Sequence, residues 1–519
     1  MTMKTKYSFI ALVVLIGGLL CACEDKLDIE QHGVSTIESF YQTDDDADEA
    51  ITVCYDQMKT IYRYAYILKN MLSDDCYNGG ESWTAGYYQL STYTFDADNS
   101  VIETLYEAYY TLIYEANLVI ENVAGGTDIQ DRDIAEAYVF RAFAYIDLIS
   151  LWGTPSYVDH CLTSSEYAQP NGDPDELWAL VESDLTTAIN SGDLSEKSGV
   201  DDICYRINKQ FAQALLGKAY VFQEEWSSAL SVLEDVIDSG LYELEEDMSD
   251  LLTTRNEFNK ETLFESNYVY DANNISLMGS ILWAYTHWRS DMLDFNINET
   301  LYDHNGWGFF NPTYEVYQAF VELEGEDGYR LNNSIKTYQQ MKDLEIISDT
   351  GLTVTFMNDN AGLFPWKYRL YADDLILSYY VRCPNNFRWM RYSEVLLLAA
   401  EAALETGNTS KATTYIDVVR TRAQLESCGT ATMDILKKEK RCELFQEGVR
   451  YQDLIRWGDA YTYLGTKGQE RPALYPDGTV DMDYLTTSSA GFKTGKHELL
   501  PFPATEINVN KNITQNTGW

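Results

Sequence analysis

Carboxylate side chains recur at helical spacing in the last third of the chain, where paired acids could perform general acid–base chemistry. Glu394 and Glu401 are seven residues apart, so two turns of helix would separate their backbones by about 10.5 Å. Glycosidases hold their two carboxyl groups about 5–5.5 Å apart for retention and up to about 9.5 Å apart for inversion. Because Arg391 lies one turn before Glu394, an ion pair on a packed helix is the simpler prediction.

A structural charge network is predicted by a second acidic series, KKEKRCELFQEGVRYQDLIRW. Its acids Glu439, Glu443 and Glu447 recur at four-residue steps, among the arginines Arg441, Arg450 and Arg456. The five histidines show no metal-binding spacing, and the chain lacks the G-x-S-x-G, P-loop and G-x-G-x-x-G motifs. We therefore expect no enzymatic activity, no cofactor and no metal site.

Aromatic residues in polar, glycine-rich segments indicate a different chemistry, the binding of sugars. A sugar offers an apolar face and a ring of hydroxyls, so its site needs exposed aromatic rings flanked by polar side chains. The candidate ligand-binding residues are Trp83, Tyr87, Tyr88, Trp283, Tyr285, Trp288, Arg289, Asn305 and Trp307. The first three lie in residues 73–99, whose composition predicts a loop. For each tryptophan the alternative is burial in a core.

The charge balance excludes some classes of partner. The 519 residues include 82 acidic and 37 basic side chains, for a net charge of −45. Such a surface repels phosphate backbones, so nucleic acid is not an expected partner. The length exceeds what one core usually supports, which predicts two lobes or an extended helical platform.

The first 22 residues have the pattern of a lipoprotein signal peptide. Two lysines precede an apolar run, which ends in Leu20-Cys21-Ala22-Cys23. A leucine three places before a cysteine resembles the bacterial lipobox. Cys23 is therefore the predicted site of acylation, for example by palmitate. The alternative is an ordinary signal peptide that is cleaved nearby. No other apolar run is long enough to cross a bilayer, so the mature protein is predicted to be anchored rather than membrane-spanning.

Apolar residues at three- and four-residue steps predict helices along most of the chain. Phe387–Trp457 is predicted to form three consecutive helices, with a break at Gly407-Asn408. Earlier helices are predicted at 44–64, 102–123, 135–155 and 173–190. Residues 265–385 lose this periodicity and gain Gly, Asn and aromatic residues, which predicts an irregular, loop-rich lobe. Residues 458–519 are predicted to be an irregular tail, with Leu499-Leu500-Pro501 exposed.

Residues 208–240 carry the skeleton of a tetratricopeptide repeat. Leu216-Gly217, Ala229 and Leu233 fit its conserved positions, and placing Ala412 over Ala229 makes 392–423 a second, degenerate copy. Because such hairpins cannot bury their apolar faces alone, several must stack. The predicted fold class is therefore mostly α, a tetratricopeptide-like platform of helical hairpins with a loop-rich lobe over it.

Three strings of this chain resemble the SusD/RagB family, the outer-membrane nutrient-binding lipoproteins of the Bacteroidetes. They are RYSEVLLLAAEAALETGN, KKEKRCELFQEGVRYQDLIRWG and the closing ELLPFPATEINVNKNITQNTGW. Tyr109, Ile113, Ala116 and Asn117 also match the family's Y-x-x-I-x-x-A-N pattern, although Tyr106 stands where the family usually has tryptophan. The resemblance covers essentially the whole mature chain.

This resemblance implies a SusD-like region at 23–264 and a SusD/RagB region at 265–519. It implies a lipid-anchored protein on the exterior of the outer membrane, which captures an oligo- or polysaccharide for a SusC-like TonB-dependent transporter. Alternatives are the same architecture binding peptides, a glycoside hydrolase, or a helical scaffold. The binding loops vary within the family, so the resemblance assigns no site residue.

Overall fold

The fold is mostly α-helical, as the periodicity predicts. The structure is a computed structural model that describes residues 40–79, 85–268, 282–287, 306–347, 362–371, 374, 383–470, 472–481 and 489–519. Among these residues, no helix is both long and apolar enough to cross a bilayer.

The long helices belong to the first half of the chain and to the segment after residue 391. The helices are α1 (Asp44–Leu72), α2 (Ala85–Thr92), α3 (Ser100–Asn122), α4 (Asp128–Trp152), α5 (Pro174–Ser191), α6 (Lys209–Phe222), α7 (Trp226–Asp238), α8 (Leu282–Thr286), α9 (Tyr314–Glu324), α10 (Tyr329–Ser334), α11 (Tyr338–Asp343), α12 (Tyr392–Glu405), α13 (Thr409–Arg422), α14 (Met433–Glu443), α15 (Arg450–Arg456), α16 (Ala460–Leu464) and α17 (Ala504–Val509).

The strands are short and pair two by two. They are β1 (Cys76–Tyr77), β2 (Thr262–Ser266), β3 (Asn311–Pro312), β4 (Ile335–Thr337), β5 (Leu363–Pro365), β6 (Phe387–Arg391), β7 (Ala473–Leu474) and β8 (Val480–Asp481). All four pairs, β1–β3, β2–β6, β4–β5 and β7–β8, are antiparallel. The β2–β6 pair joins the end of the predicted region 23–264 to the predicted region 265–519. The boundary between these two regions stays a prediction.

The helices stack as a continuous array. Helix α3 packs against α1 and α4, α4 against α5, α5 against α6, and α6 against α7. Helix α12 then packs against α7 and α13, although residues 239–391 separate α7 from α12 along the chain. The apolar face of α7 is therefore covered by a helical hairpin that comes much later in the sequence. The loop-rich segments between α7 and α12 are insertions into one continuous helical platform.

The two repeat hairpins pack as the aligned positions predict. Ala229 and Ala412 are both fully buried. In the first hairpin, a Cβ added to Gly217 would lie 2.5 Å from the Leu233 side chain of the facing helix, so any larger residue would force Leu233 to move. These positions confirm the helical-hairpin platform.

The acidic residues Asp44, Asp45 and Asp46 lie in the first turn of α1 and make its N-terminus negatively charged. The Thr43 hydroxyl accepts a hydrogen bond from the amide of Asp46, whose carboxylate accepts one from the amide of Thr43. This capping box satisfies two backbone donors that an α-helix leaves unpaired, and the acids complement the helix dipole.

Three sequence-based predictions are wrong in detail. Phe387–Arg391 is a strand rather than a helix start, because it pairs with β2. The last predicted helix is broken between α14 and α15, where Gln446 and Gly448 have positive φ. Leu500 of the tail is fully buried, since its amide donates to the carbonyl of Leu151 and its side chain joins the main core.

Candidate functional site

Four aromatic side chains from three separate segments pack together beside the C-terminal half of α1. The Tyr87 ring lies 6.3 Å from Tyr285 and 5.4 Å from Phe309, both edge to face. Trp307 lies 5.5 Å from each of Tyr285 and Phe309. These distances are those of favourable aromatic pairs. We call Tyr87, Tyr285, Trp307 and Phe309 the aromatic cluster.

Helix α8 holds two members of the cluster through its own C-terminal carbonyls. The amide of Trp307 donates to Ala284 O at 2.6 Å, and the amide of Phe309 donates to Tyr285 O at 2.9 Å. Between them Gly308 has φ +63°, a left-handed conformation that favours glycine. The last carbonyls of a helix have no partner within the helix. The amides of the segment after residue 305 therefore provide hydrogen-bond donors for the carbonyls of α8, and the same bonds hold Trp307 and Phe309 beside it.

A short sheet attaches this segment to the end of α1. Strand β3 pairs with β1, so Asn311 lies opposite Tyr77. The Thr313 hydroxyl donates to Asp74 O at 2.7 Å, and its amide donates to Asp75 O at 3.0 Å. The aromatic cluster is therefore fixed to the helical platform through backbone hydrogen bonds.

One cation lies beside the cluster. Arg63, exposed on α1, donates from Nε to the Tyr285 hydroxyl at 2.9 Å. Burial and the neighbouring Tyr87 raise the pKa of Tyr285 although Arg63 opposes the shift, so the phenol stays neutral. A guanidinium has five N–H donors, so a guanidinium beside an aromatic surface can also bind hydroxyl oxygens of a ligand.

The structure places the predicted site residues differently from the expectation. Tyr87 and Tyr88 lie on α2, not in a loop, and both are half-buried. Tyr285 is 2% exposed, so its ring is the floor of the cluster and not an exposed platform. Trp307 is half-buried and remains a candidate platform.

Other predicted residues are described in part or not at all. Trp283 lies on α8, where only its backbone is described. The remaining ones lie outside the described residues: Trp83, Trp288, Arg289, Asn305 and the predicted acylation site Cys23.

Sequence reasoning missed two residues of the site, Arg63 and Phe309. Phe309 is two positions from Trp307 in the aromatic run NGWGFF, which was a usable signal. Arg63 contacts a residue 222 positions further along the chain, so no local pattern pointed to it.

Tyr88 lines a separate cavity. This cavity has a volume of about 480 Å³ and lies between α2, the start of α9 and the segment around α16. Tyr77, Tyr314 and Tyr463 also line it. Successive residues of a helix point about 100° apart, so α2 presents Tyr87 to the aromatic cluster and Tyr88 to the cavity.

The acids that could have been catalytic are held in ion pairs. Glu394 accepts from Lys218 at 2.9 Å, not from Arg391 as predicted, and Glu401 accepts from Arg456. These buried carboxylates lie on α12 within the platform. No group of three or more potential metal ligands occurs in the part of the chain that the structure describes.

The predicted charge network exists, with partners different from those expected. Arg391 Nε donates to Glu447 at 2.7 Å, and Glu443 pairs with Arg391, Arg422 and Arg330. Although burial opposes ionisation, Arg391 and Lys367 hold the pKa of Glu447 below its usual range. Arg441 and Arg450 instead bind Asp74 at the end of α1. The network connects β6, α13, α14 and the loop-rich lobe.

Two family models match the chain, and together they cover most of it. Residues 327–519 match the model described as the SusD family. Residues 30–221 match a model described as starch-binding associating with outer membrane.

Individual relatives agree with these matches. A SusD-like protein, P38, from Formosa agariphila is 25% identical, with 89% of this chain and 93% of that protein covered. A solved structure named as a laminarin-binding SusD-like protein superposes with a TM-score of 0.76 at 24% identity, over 92% of this chain and 99% of that one. The surface glycan-binding protein A of Bacteroides thetaiotaomicron, in complex with laminarihexaose, has a TM-score of 0.72 at 22% identity and covers 91% and 99%. The shared fold extends over nearly the whole described chain.

Proposed function

The chain belongs to the SusD family of outer-membrane-associated proteins, and we propose that it captures a glycan on the cell surface for a SusC-like TonB-dependent transporter. Its acylated Cys23 would anchor it to the outer membrane with the platform facing the exterior. A protein held at the membrane by a lipid anchor would deliver its ligand to such a transporter, which provides the pore.

The aromatic cluster is the observation that carries the glycan-binding proposal. Tyr87 and Trp307 each keep part of a ring in contact with solvent over a floor made by buried Tyr285 and Phe309. A sugar that stacks on such a ring removes apolar area from water at about 25 cal/mol per Å². Arg63 at the rim supplies donors for the sugar hydroxyls. Trp83, Trp288, Arg289 and Asn305 remain proposed members of the same site.

The names of similar proteins favour the same ligand class. One structural relative is named for laminarin binding, and another was solved with laminarihexaose. For this chain we propose a neutral glycan, because a net charge of −45 repels acidic polysaccharides.

We also propose that the protein is not an enzyme. Glu394 and Glu401 are buried and ion-paired, which removes the best-spaced carboxylate pair from contact with a substrate. A hydrolase would release reducing ends from the glycan that it binds. Incubation of the purified protein with that glycan is expected to release none.

Affinity electrophoresis against a panel of neutral plant, algal and fungal polysaccharides tests the binding proposal. At least one polysaccharide is expected to retard the protein, and Trp307→Ala is expected to abolish most of the retardation. Failure of every polysaccharide together with retention of a peptide mixture would contradict glycan binding and favour the peptide alternative. For the partner, affinity purification from native membranes is expected to recover a TonB-dependent transporter in stoichiometric amount.

A further inference from the structure

The cavity beside α2 has the size and lining of a ligand site in its own right. Its volume of about 480 Å³ falls within the range of about 300–1,000 Å³ that is typical of small-molecule pockets. In its wall, the backbone at residue 468 comes so close to α2 that only glycine fits there. Gly468 has φ +83°, and a Cβ there would lie 2.8 Å from Thr92 Cα of α2.

Aromatic and hydroxyl groups dominate the accessible lining. Tyr88 of α2, Tyr314 of α9 and Tyr463 of α16 contribute rings from three different elements. Tyr463 is 48% exposed, so its ring borders the mouth of the cavity. Flat rings with a polar tip beside small hydroxyl side chains such as Ser91 suit a ligand with an apolar face and a hydroxylated rim.

A lysine in the cavity wall supplies an oriented donor. The Lys467 ammonium donates to the carbonyls of Met71 and Ser73 at the end of α1. An ammonium has three N–H donors, and the described residues provide no acceptor for the third. Burial lowers the pKa of Lys467 to about 8, although Asp74, Asp75 and Glu315 oppose the shift, so the group is mainly protonated at neutral pH.

The charged groups around the cavity argue against an anionic ligand. Arg441 also lines the cavity, but it is paired with Asp74 at 2.8 Å and with Asp75 at 2.9 Å. Glu315 and Glu470 add two further carboxylates to the lining. The positive charges are therefore balanced by the protein's own acids, which leaves hydrogen-bonding groups and rings to recognise a neutral molecule.

The position of the cavity relates it to the aromatic cluster. Tyr87 belongs to the aromatic cluster and the next residue, Tyr88, lines the cavity, so one short helix contributes to both. The width of an α-helix with its side chains is about 10–12 Å. A few sugar units span such a distance, so one branched or bent glycan can contact both sites.

We propose that this cavity is a second sugar subsite, which takes a neutral side branch of the glycan whose backbone lies on the aromatic cluster. The proposal rests on the glycan-binding function, and it makes the preferred ligand a branched glycan rather than a linear chain. Tyr314 and Tyr463 provide the rings, and Lys467 donates to a sugar oxygen.

The first test uses neutral monosaccharides as probes and saturation-transfer NMR on the full mature protein. Glucose, galactose, mannose, xylose and arabinose are compared across wild type and four single variants. At least one sugar is expected to give a signal that Tyr314→Ala and Tyr463→Ala each reduce at least fivefold. The control Tyr461→Ala is expected to retain the signal, and Trp307→Ala measures the part of the signal that comes from the aromatic cluster. Tyr461 is a matched control because it lies on α16 and is 64% exposed, but does not line the cavity.

The second test uses the polysaccharide selected by affinity electrophoresis, in its native branched form and after enzymatic debranching. Tyr463→Ala is expected to weaken binding of the branched form about tenfold and to leave the debranched form unchanged. Equal weakening of both forms, or a monosaccharide signal that survives both cavity variants, would overturn the proposal.

The two proposals fail in different ways. If no polysaccharide binds but a monosaccharide signal depends on Tyr314 and Tyr463, the glycan-capture function is wrong and the cavity is still a sugar site. If a polysaccharide binds through Trp307 with no difference between branched and debranched forms, glycan capture holds and the second subsite is wrong.

Discussion

Arg63 and Tyr285 join the helical platform to the loop-rich lobe, since the Arg63 Nε of α1 donates to the Tyr285 hydroxyl of α8 at 2.9 Å. The same bond places a guanidinium at the edge of the aromatic cluster. Tyr285 is therefore a structural residue whose polar tip orients a candidate ligand-binding residue.

Removal of this hydroxyl tests that role. Tyr285→Phe keeps the ring but removes the acceptor for Arg63, so glycan affinity is expected to fall about fivefold, equivalent to a hydrogen bond of about 1 kcal/mol. Isothermal titration calorimetry measures the change. In a double-mutant cycle with Arg63→Gln, the two losses are expected to be less than additive. Full additivity would show that the two side chains act independently.

Trp307 is expected to be the main stacking surface of the described cluster. Trp307→Ala removes a central aromatic anchor, which costs about 2 kcal/mol or more, roughly thirtyfold in affinity. Tyr167→Ala serves as the control, because Tyr167 is 69% exposed and is not part of the cluster. Calorimetry gives the affinity, and thermal melting shows whether the fold is intact. Unchanged affinity with an intact fold would move the ligand-stacking role to Trp83, Trp283 or Trp288.

Gly217 tests the close packing of the repeat hairpin. Alanine normally stabilises a helix interior relative to glycine by about 0.5–1 kcal/mol. Here the added Cβ would lie 2.5 Å from Leu233, so Gly217→Ala is expected to lower the free energy of unfolding by about 1–3 kcal/mol. Gly199→Ala is the control, since a Cβ there meets nothing within 4 Å. Denaturant unfolding that shows a gain in stability for Gly217→Ala would contradict the packing account.

Glu447 gives the network a defined pH dependence. The pKa of Glu447 in the folded protein is below its ordinary value of 4.5, so its ion pairs contribute stability above that value. The contribution is lost as pH falls through the folded pKa. At pH 7, Glu447→Gln is expected to cost about 3–5 kcal/mol, because Arg391 and Lys367 lose a buried partner.

The difference between wild type and Glu447→Gln is expected to shrink progressively below pH 4.5 in denaturant unfolding followed by circular dichroism. The exposed Glu405 of α12 provides the control variant Glu405→Gln, for which a small effect at every pH is expected. A difference that stays constant down to acid unfolding would show that Glu447 does not act through its charge.

The anchoring proposal concerns Cys23. Cys23→Ser removes the thiol that would be acylated, so the protein is expected to leave the membrane fraction and to lose labelling by a clickable palmitate analogue. Cys21→Ser is the matched control, because the preceding cysteine lies inside the predicted signal peptide. A Cys23→Ser protein that remains acylated would refute the lipobox assignment.

The helical platform was predictable because its signals are local. Ala229 and Ala412 are each followed by an apolar residue four positions later, and both alanines are fully buried. Burial of one helical face depends on residues three and four positions apart, which a reader of the sequence can see directly. The same locality explains why the family resemblance was recognisable in strings of about twenty residues.

Elements that depend on distant partners were not predictable in the same way. Residues 387–391 form a strand because Phe387 pairs with Ser266, far earlier in the chain. Helix α2 was expected to be a loop, since its Gly, Ser and Thr content hides any period. Asn99 supports this helix by donating to Gly86 O at 3.1 Å and to Gln89 Oε1 at 3.0 Å.

The sequence by itself thus determined the mostly helical class, the repeat hairpins and the aromatic character of the candidate site. Only the tertiary structure decided which groups meet: Arg391 binds Glu447 rather than Glu394, and Tyr87 packs in the aromatic cluster whereas Tyr88 lines a separate cavity. The physical reason is that a helix period specifies which face a side chain occupies, whereas its partner is chosen by the packing of segments that are far apart in the chain.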